Sequence, residues 1–158
     1  MKNYLKIKPS KIGNGVFTDI IIPGNSLILE FKGNIYSRKS LNYGPHQYLQ
    51  IGNDSYQGPS GEVDDYINHS CDPNCFLHIV GNRAFLYSLH QISENGELTF
   101  DYSTSSTESH DEWCMKCCCS SMKCRKDISG YQYLNEELKN IYKNKGLLPL
   151  FITDKMFQ

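Results

Sequence analysis

Short alternations of apolar and polar positions, each closed by a glycine or asparagine turn, fill the first hundred residues. Leu5 to Lys8 alternates and reads as a strand, and Lys11-Ile12-Gly13-Asn14-Gly15-Val16-Phe17 turns through glycine into a second. On its own this Gly-x-Gly reads as a plain hairpin turn. Pro23-Gly24-Asn25 marks another turn, before a strand from Ser26 to Phe31. Ser37 to Pro45 carries turn formers without a period, as a loop or short helix does. Gln47 to Ile51 and Ser55 to Gln57 read as strands about a Gly52-Asn53-Asp54 turn, and Gly58-Pro59-Ser60-Gly61 then breaks the pattern. Phe76 to Val80 and Ala84 to Ser88 flank Gly81-Asn82 as a hairpin. Glu97 to Phe100 is one more short strand.

Beyond it the pattern changes. Ser103 to Asp111 is polar and rich in serine and threonine, and is expected as a mobile surface loop. Leu134, Leu138, Ile141 and Tyr142 fall at helical spacing, with Gly146 placed to stop the helix. Leu150, Phe151 and Ile152 follow Pro149 as a tail expected to pack down. Many short strands, glycine turns and one late helix predict a mostly-β domain, and 158 residues suit a single folding unit. No apolar run approaches the ~18 residues of a membrane span. Met1-Lys2-Asn3-Tyr4 leads into an alternating segment rather than a secretory apolar core. The expectation is an intracellular chain in a reducing compartment, without membrane contact. A net charge of −1 argues against nucleic acid as a direct partner.

Cysteine usage changes the picture more than charge does. There are seven cysteines, and five of them crowd between Cys114 and Cys124. An odd number in a reducing compartment favours metal over disulfides. Cys117-x-Cys119 with Cys124 supplies three thiolates, whereas a closed structural Zn²⁺ site takes four ligands. Cys71 is the natural fourth donor, and would staple the tail onto the centre of the domain. Cys114 and Cys118 are left as spares, with an exchange among Cys114, Cys117 and Cys118 open. Cys75 reads as a small buried apolar residue.

Cys71 lies in Tyr66-Ile67-Asn68-His69-Ser70-Cys71-Asp72-Pro73-Asn74-Cys75, where Pro73 forces a bend among amides, an imidazole and thiols. Some thirty residues later stands Gly96-Glu97-Leu98-Thr99-Phe100-Asp101-Tyr102. Asn68-His69-Ser70-Cys71-x-Pro73-Asn74 and Glu97-Leu98-Thr99-Phe100-Asp101-Tyr102 closely resemble the two central motifs of the SET-domain lysine methyltransferases. Lys11 to Phe17 resembles that family's N-terminal glycine motif, and Cys117-x-Cys119 with Cys124-Arg125 resembles its post-SET zinc segment. The four blocks stand in the family's order, across about Leu5 to Ile128.

The resemblance implies a β-clip-like SET fold of several small sheets with a knot-like threaded C-terminal segment. It implies a SET domain over 1–112, a post-SET zinc segment over 113–128 and a helical extension over 129–158. S-adenosylmethionine would lie on one face, with a lysine channel opening from the other. Gly13, Asn14 and Gly15 would approach the cofactor with backbone, Asn68 with its side chain and His69 with its backbone. Tyr102 would be the catalytic phenol, also touching the cofactor, and Phe100 would hold the product-switch position and permit di- or trimethylation. Cys71, Cys117, Cys119 and Cys124 would hold structural zinc.

Several readings stay open on the residues alone. Trp113 either covers the adenine or packs on the zinc site, and Tyr48 is either a channel wall or core. His69 is expected as a packed ring rather than a general base, and Asn74 as a group satisfying backbone. Family members often carry arginine where Asp64 and Asp65 stand. With Glu62 these form an acidic patch, either a solvated face or a rim attracting a basic peptide such as a histone tail. Ser120 and Lys126 replace two glycines usual in the zinc segment. The alternative to a protein-lysine methyltransferase is a catalytically silent, zinc-stapled module that binds a lysine-containing partner.

Overall fold

The computed structural model describes residues 3–41 and 48–154. Strand β1 (Leu5–Pro9) pairs antiparallel with β2 (Asn14–Thr18), as the alternation of Leu5 to Lys8 predicts. Strand β3 (Leu27–Glu30) lies beside β9 (Arg83–Ser88), which pairs in turn with β8 (Cys75–Val80). The β8–β9 hairpin closes through Gly81 and Asn82, with Gly81 at φ 56°, as its sequence signals. A second three-stranded sheet has the order β4 (Ile35–Tyr36), β6 (Tyr56–Gln57), β5 (Leu49–Gln50). Strand β5 is shorter than the expected Gln47–Ile51, and Gln47 lies outside the described residues. A 3-10 turn at Arg38–Ser40 answers the period-free stretch from Ser37, whose last residues, 42–45, also lie outside.

Two further pairs complete the β structure. Strand β7 (Asn68–His69) runs parallel to β10 (Thr99–Phe100), and β11 (Cys114–Lys116) runs antiparallel to β12 (Asp127–Ser129). The main core gathers Val16, Ile28, Leu86, Leu98 and Phe100 among others, from β2, β3, β9 and the approach to β10. Gly33 permits one close backbone crossing beside it. At φ 103° a Cβ there would stand 2.0 Å from the Gly58 carbonyl oxygen.

The helix arrives as the spacing predicts, as α1 (Glu136–Asn144). The Asn135 side chain caps it by accepting from the Leu138 amide at 2.8 Å, and Gly146, at φ 64°, ends it. Leu134 lies just ahead of the cap, and Ile141 is exposed rather than on the docked face. The tail forms a short second helix, α2 (Leu150–Asp154). Phe151 and Ile152 pack against Tyr131, Leu134 and Tyr142, while Leu150 turns outward.

The expectation for Ser103 to Asp111 is corrected over Ser103 to Glu108, while His110 and Asp111 are exposed. Ser103, Thr104, Ser105, Ser106 and Glu108 are buried, and Tyr102–Ser105 forms a 3-10 turn. Polar composition suggested solvent, but the chain passes through the interior with its polar groups paired. Ser103 Oγ donates to the Ser129 carbonyl at 2.7 Å and Thr104 Oγ1 to the Asp101 carbonyl at 2.7 Å. The Gln50 side chain accepts from the Thr107 amide at 2.8 Å. Glu108 accepts from the Tyr56 hydroxyl and from an Arg38 N–H, the latter at 2.6 Å. A buried polar group with its partners in place carries little penalty. Composition cannot reveal those partners.

Three phenols, two buried and one half-buried, make stability sensitive to alkali. Burial pushes the Tyr56, Tyr102 and Tyr142 hydroxyls well above the usual tyrosine range, with Glu108, Glu97 and Asp101 adding to it respectively. As pH rises past 10 the unfolded chain releases these protons and the folded chain keeps them, so stability falls. Each such phenol steepens the decline by up to roughly 1.4 kcal/mol per pH unit. Urea unfolding of Tyr56→Phe between pH 9.5 and 11 is expected to show a slope shallower than the parent's, by an amount that approaches one proton near pH 11.

Candidate active site

The site is built on the parallel pair β7–β10. Asn68 lies opposite Thr99 and His69 opposite Phe100, and the Ser70 amide donates to the Phe100 carbonyl at 3.1 Å. Asn74 fixes the bend at Pro73 to the same strand. Its amide donates to the Glu97 carbonyl at 2.7 Å and its oxygen accepts from the Thr99 N–H at 2.9 Å. Asn74 therefore satisfies backbone, as expected of it.

On one side of this pair opens a cavity of about 240 Å³, with Phe31, Tyr48, Tyr56, Ile67, Phe100 and Tyr102 in its lining. That is below the ~300–1,000 Å³ of common small-molecule pockets and suits a single inserted side chain. Phe100 meets Phe31 edge-on at 6.2 Å and lies tilted 4.9 Å from Tyr102. Tyr48 is a wall of the cavity, braced edge-on against Tyr36 at 5.4 Å. The Tyr102 hydroxyl donates to the Ile67 carbonyl at 2.7 Å. Burial and the neighbouring Glu97 charge hold it neutral far above pH 7, so it is a neutral, fixed hydrogen-bond donor there.

Asn68 does not line the cavity; its neighbour Ile67 does. The Asn68 side chain turns to the glycine motif, donating to the Asn14 carbonyl at 2.9 Å and to Glu97 Oε1 at 2.8 Å. Ser10 Oγ donates to the same carboxylate oxygen at 2.7 Å. Gly15 makes this approach possible. A Cβ there would stand 2.2 Å from Glu97 Oε1 and 2.9 Å from Asn68 Nδ2, while one on Gly13 would point into open space. The structure thus gathers Gly13, Asn14, Gly15, Asn68 and Glu97 at one spot. Phe100 and Tyr102 stand at the other, one peptide unit away through Ile67. Glu97 carries no flag in the sequence beyond its place in a motif.

The His69 ring is buried and faces both ways. Its Nδ1 accepts from the Tyr102 amide at 3.2 Å and its Nε2 lies 3.3 Å from Cys71 Sγ. Burial lowers its pKa to about 4 against the pull of Asp101, so the ring is neutral and structural, as expected. Cys71, Cys117, Cys119 and Cys124 bring their sulfurs within 4.8 Å of one another. Trp113 packs into this cluster with Ile128 and also reaches the cavity wall beside Tyr102. Cys114 and Cys118 face solvent, and Cys75 is wholly buried elsewhere in the core, its thiol pushed up to about 12 by burial.

The acidic patch is corrected in part. Asp64 is buried, accepting from the Lys32 amide and the Ser60 hydroxyl, each at 2.8 Å. Asp65 accepts from the Ser60 and Gly61 amides at 2.9 and 2.6 Å. Both carboxylates therefore shape the loop at the cavity, and only Asp65 and Glu62 remain exposed.

Sequence reasoning missed the group that locks these parts together. Asp101 is buried and receives two Arg125 guanidinium N–H bonds, at 2.6 and 2.7 Å, and the Tyr142 hydroxyl at 2.7 Å. The signal was an Asp beside the motif tyrosine and an Arg directly after Cys124. Nothing local said that they meet.

A family model described as "SET domain" matches residues 13–103, more than half of the chain. The chain belongs to the SET-domain family. It is 28% identical over 141 residues to an H3 lysine-4 specific histone-lysine N-methyltransferase of Emericella nidulans, covering 78% of this chain and 12% of that one. To the enzyme of the same description from Schizosaccharomyces pombe it is 30% identical over 141 residues, covering 78% of this chain and 15% of that one. This SET chain therefore spans only a small part of the length of these curated relatives. Among solved structures it is similar to KRYPTONITE in complex with mCHH DNA, H3(1-15) peptide and SAH. The TM-score is 0.66 at 25% identity, over 79% of this chain and 29% of that one. The mostly-β architecture of small sheets anticipated from the sequence is the SET fold.

Two departures from the family motif leave their mark on the SET domain's cysteine loops. Ser120 and Lys126, where the motif usually has glycine, sit at φ 59° and 69°. The backbone keeps the left-handed geometry and a side chain bears the strain. Ser120→Gly and Lys126→Gly are each expected to raise stability by about 0.5–1 kcal/mol, read as an upward shift in melting temperature.

Proposed function

We propose that this SET domain is an S-adenosylmethionine-dependent protein-lysine N-methyltransferase acting on a basic peptide such as a histone tail. The observation that carries this reading is the cavity, in which Phe31, Tyr48, Phe100 and the neutral phenol of Tyr102 meet. It backs onto the strand pair that presents Asn68 to the glycine motif. The relatives' names and the SAH in the similar structure support it.

The chain's residues suit the cofactor. Glu97 and the Asn14 carbonyl are acceptors for an ammonium group, Asn68 offers both donor and acceptor, and Gly13 leaves room for close approach. When bound, S-adenosylmethionine supplies an electrophilic methyl group on a sulfonium. The remaining task falls to the protein. A lysine amine is about one part in a thousand neutral at pH 7.4, a deficit of roughly 4 kcal/mol. Phe31, Ile67 and Phe100 put apolar surface beside the amine, which disfavours the ammonium, in a lining that also holds Asp64, Asp65 and Glu108. The fixed Tyr102 dipole orients the amine. Phe100 presents no hydroxyl to hold a water molecule, which leaves room for di- and trimethylated products. Exposed Asp65 and Glu62 on the adjoining loop favour approach of a cationic peptide.

Incubation with labelled cofactor and core histones is expected to transfer label to a lysine, with di- or trimethyl species seen by mass spectrometry. Tyr102→Phe is expected to lower kcat by about a hundredfold while the cofactor still binds. Cofactor or peptide binding without any transfer would return the reading to a silent lysine-binding module.

The four-cysteine cluster fits structural zinc. A tetrahedron with Zn–S bonds near 2.3 Å has sulfur–sulfur edges of about 3.8 Å. Cys71 and Cys117 stand 3.8 Å apart. The ion would join Cys71 in the centre of the domain to the Cys117–Cys124 loop, leaving Trp113 packed on its flank. Elemental analysis is expected to return one zinc per chain, and strong chelators are expected to lower the melting temperature and abolish transfer. Full retention of zinc in Cys71→Ser would contradict this assignment.

A further inference from the structure

We propose that Tyr142, on the C-terminal helix, is a positioning residue for the active centre. Its hydroxyl braces Asp101 and, through it, the backbone that carries Tyr102.

The geometry runs in a short chain of contacts. Tyr142 is buried and its hydroxyl donates to Asp101 Oδ2 at 2.7 Å. Arg125 holds the same oxygen at 2.6 Å and Oδ1 at 2.7 Å. Asp101 Oδ1 also accepts from the Ser103 amide at 3.1 Å, and the Asp101 carbonyl accepts from the Thr104 amide at 2.9 Å. These two bonds start the 3-10 turn of which Tyr102 is the first residue. The Tyr102 amide is held in turn by His69 Nδ1 at 3.2 Å. Rotation of the Asp101 side chain would therefore shift the turn that aims the Tyr102 phenol at Ile67.

The hydroxyl is the informative atom. Tyr142 packs among Tyr131, Leu134, Phe151 and Ile152, where a phenyl ring would fill the space equally well. Arg125 already neutralises Asp101 with a two-pronged bond. A third donor on the same carboxylate adds directional restraint rather than charge balance, and it comes from a segment 41 positions away. A 1 Å displacement of a catalytic group is enough to slow a reaction considerably. The Tyr142 hydroxyl is in this view a positioning group, and the rest of the helix only carries it.

The activity arm of the test rests on the lysine-methyltransferase reading; the exchange arm does not. In full-length Tyr142→Phe, amide hydrogen exchange at Tyr102, Ser103 and Thr104 is expected to quicken by about fivefold, with the β8–β9 hairpin unchanged. The kcat for methyl transfer is expected to fall about tenfold, with the peptide KM within about twofold of the parent. Leu138→Ala loosens the same helix without touching Asp101, and is expected to lower the melting temperature while leaving kcat within about twofold. Unchanged exchange at the three amides would overturn the proposal, as would a uniform rise that includes the hairpin. So would a loss of kcat in Leu138→Ala equal to that in Tyr142→Phe. A parent chain that transfers no methyl group would defeat the enzymatic reading alone, and the exchange data would still decide the role of Tyr142.

Discussion

A carboxylate with almost no contact with water holds the molecule's parts in register. Asp101 is 1% exposed, and an unpaired charge at that depth would cost several kcal/mol. Among the described residues its hydrogen-bond partners come from three places in the chain. Arg125 belongs to the cysteine loop, Tyr142 to the C-terminal helix and Ser103 to the polar passage that follows β10. Because the charge is stable only when Arg125 is in place, the cysteine loop must close onto the strand that carries Phe100 and Tyr102. The Arg125 backbone N–H then lies 3.3 Å from Cys71 Sγ, so the same residue ties the carboxylate to the thiol cluster.

Around this lock the site divides its labour. The parallel pairing of β7 with β10 brings Asn68 and Tyr102 to adjacent spots, separated by the Ile67 peptide unit. The polar spot, with Asn14, Asn68 and Glu97, has charge and hydrogen-bonding capacity suited to a small zwitterion. The other spot is a cavity in which Phe31, Tyr48, Phe100 and Tyr102 stand beside polar groups such as Gln50, Asp64 and Glu108. A single neutral phenol stands where the two adjoin. The proposed transfer to a normally protonated amine would use the two spots for different tasks, one to hold the cofactor and one to hold the amine.

Much of this was legible in residue order because it is written locally. Turn glycines, alternating strands, the Asn135 cap and the Gly146 stop depend on neighbours in sequence. The dense thiols from Cys117 to Cys124, with Cys71, pointed to their own convergence. What stayed hidden depends on partners distant in sequence. Ser103 to Ser106 read as solvent-facing because their acceptors, such as the Ser129 carbonyl, belong to another segment. Glu108 meets Arg38 and Tyr56 from 70 and 52 residues away, so its burial had no local signal. Asp64 read as part of a charged rim, yet its carboxylate is consumed by the Lys32 amide across the fold. Ser120 and Lys126 show the converse. There the departure from glycine was visible, but only the backbone angles reveal that the turn persisted.

The central claim is that the cavity and the glycine–Asn68 spot are two halves of one reaction chamber. A crystal structure of the chain with SAH and a lysine-bearing histone peptide tests it most directly. The account predicts the lysine side chain lying between Phe100 and Tyr102, with SAH against Gly13 to Gly15 and Asn68. A peptide lysine seated outside the cavity, or SAH bound away from Asn68, would contradict it.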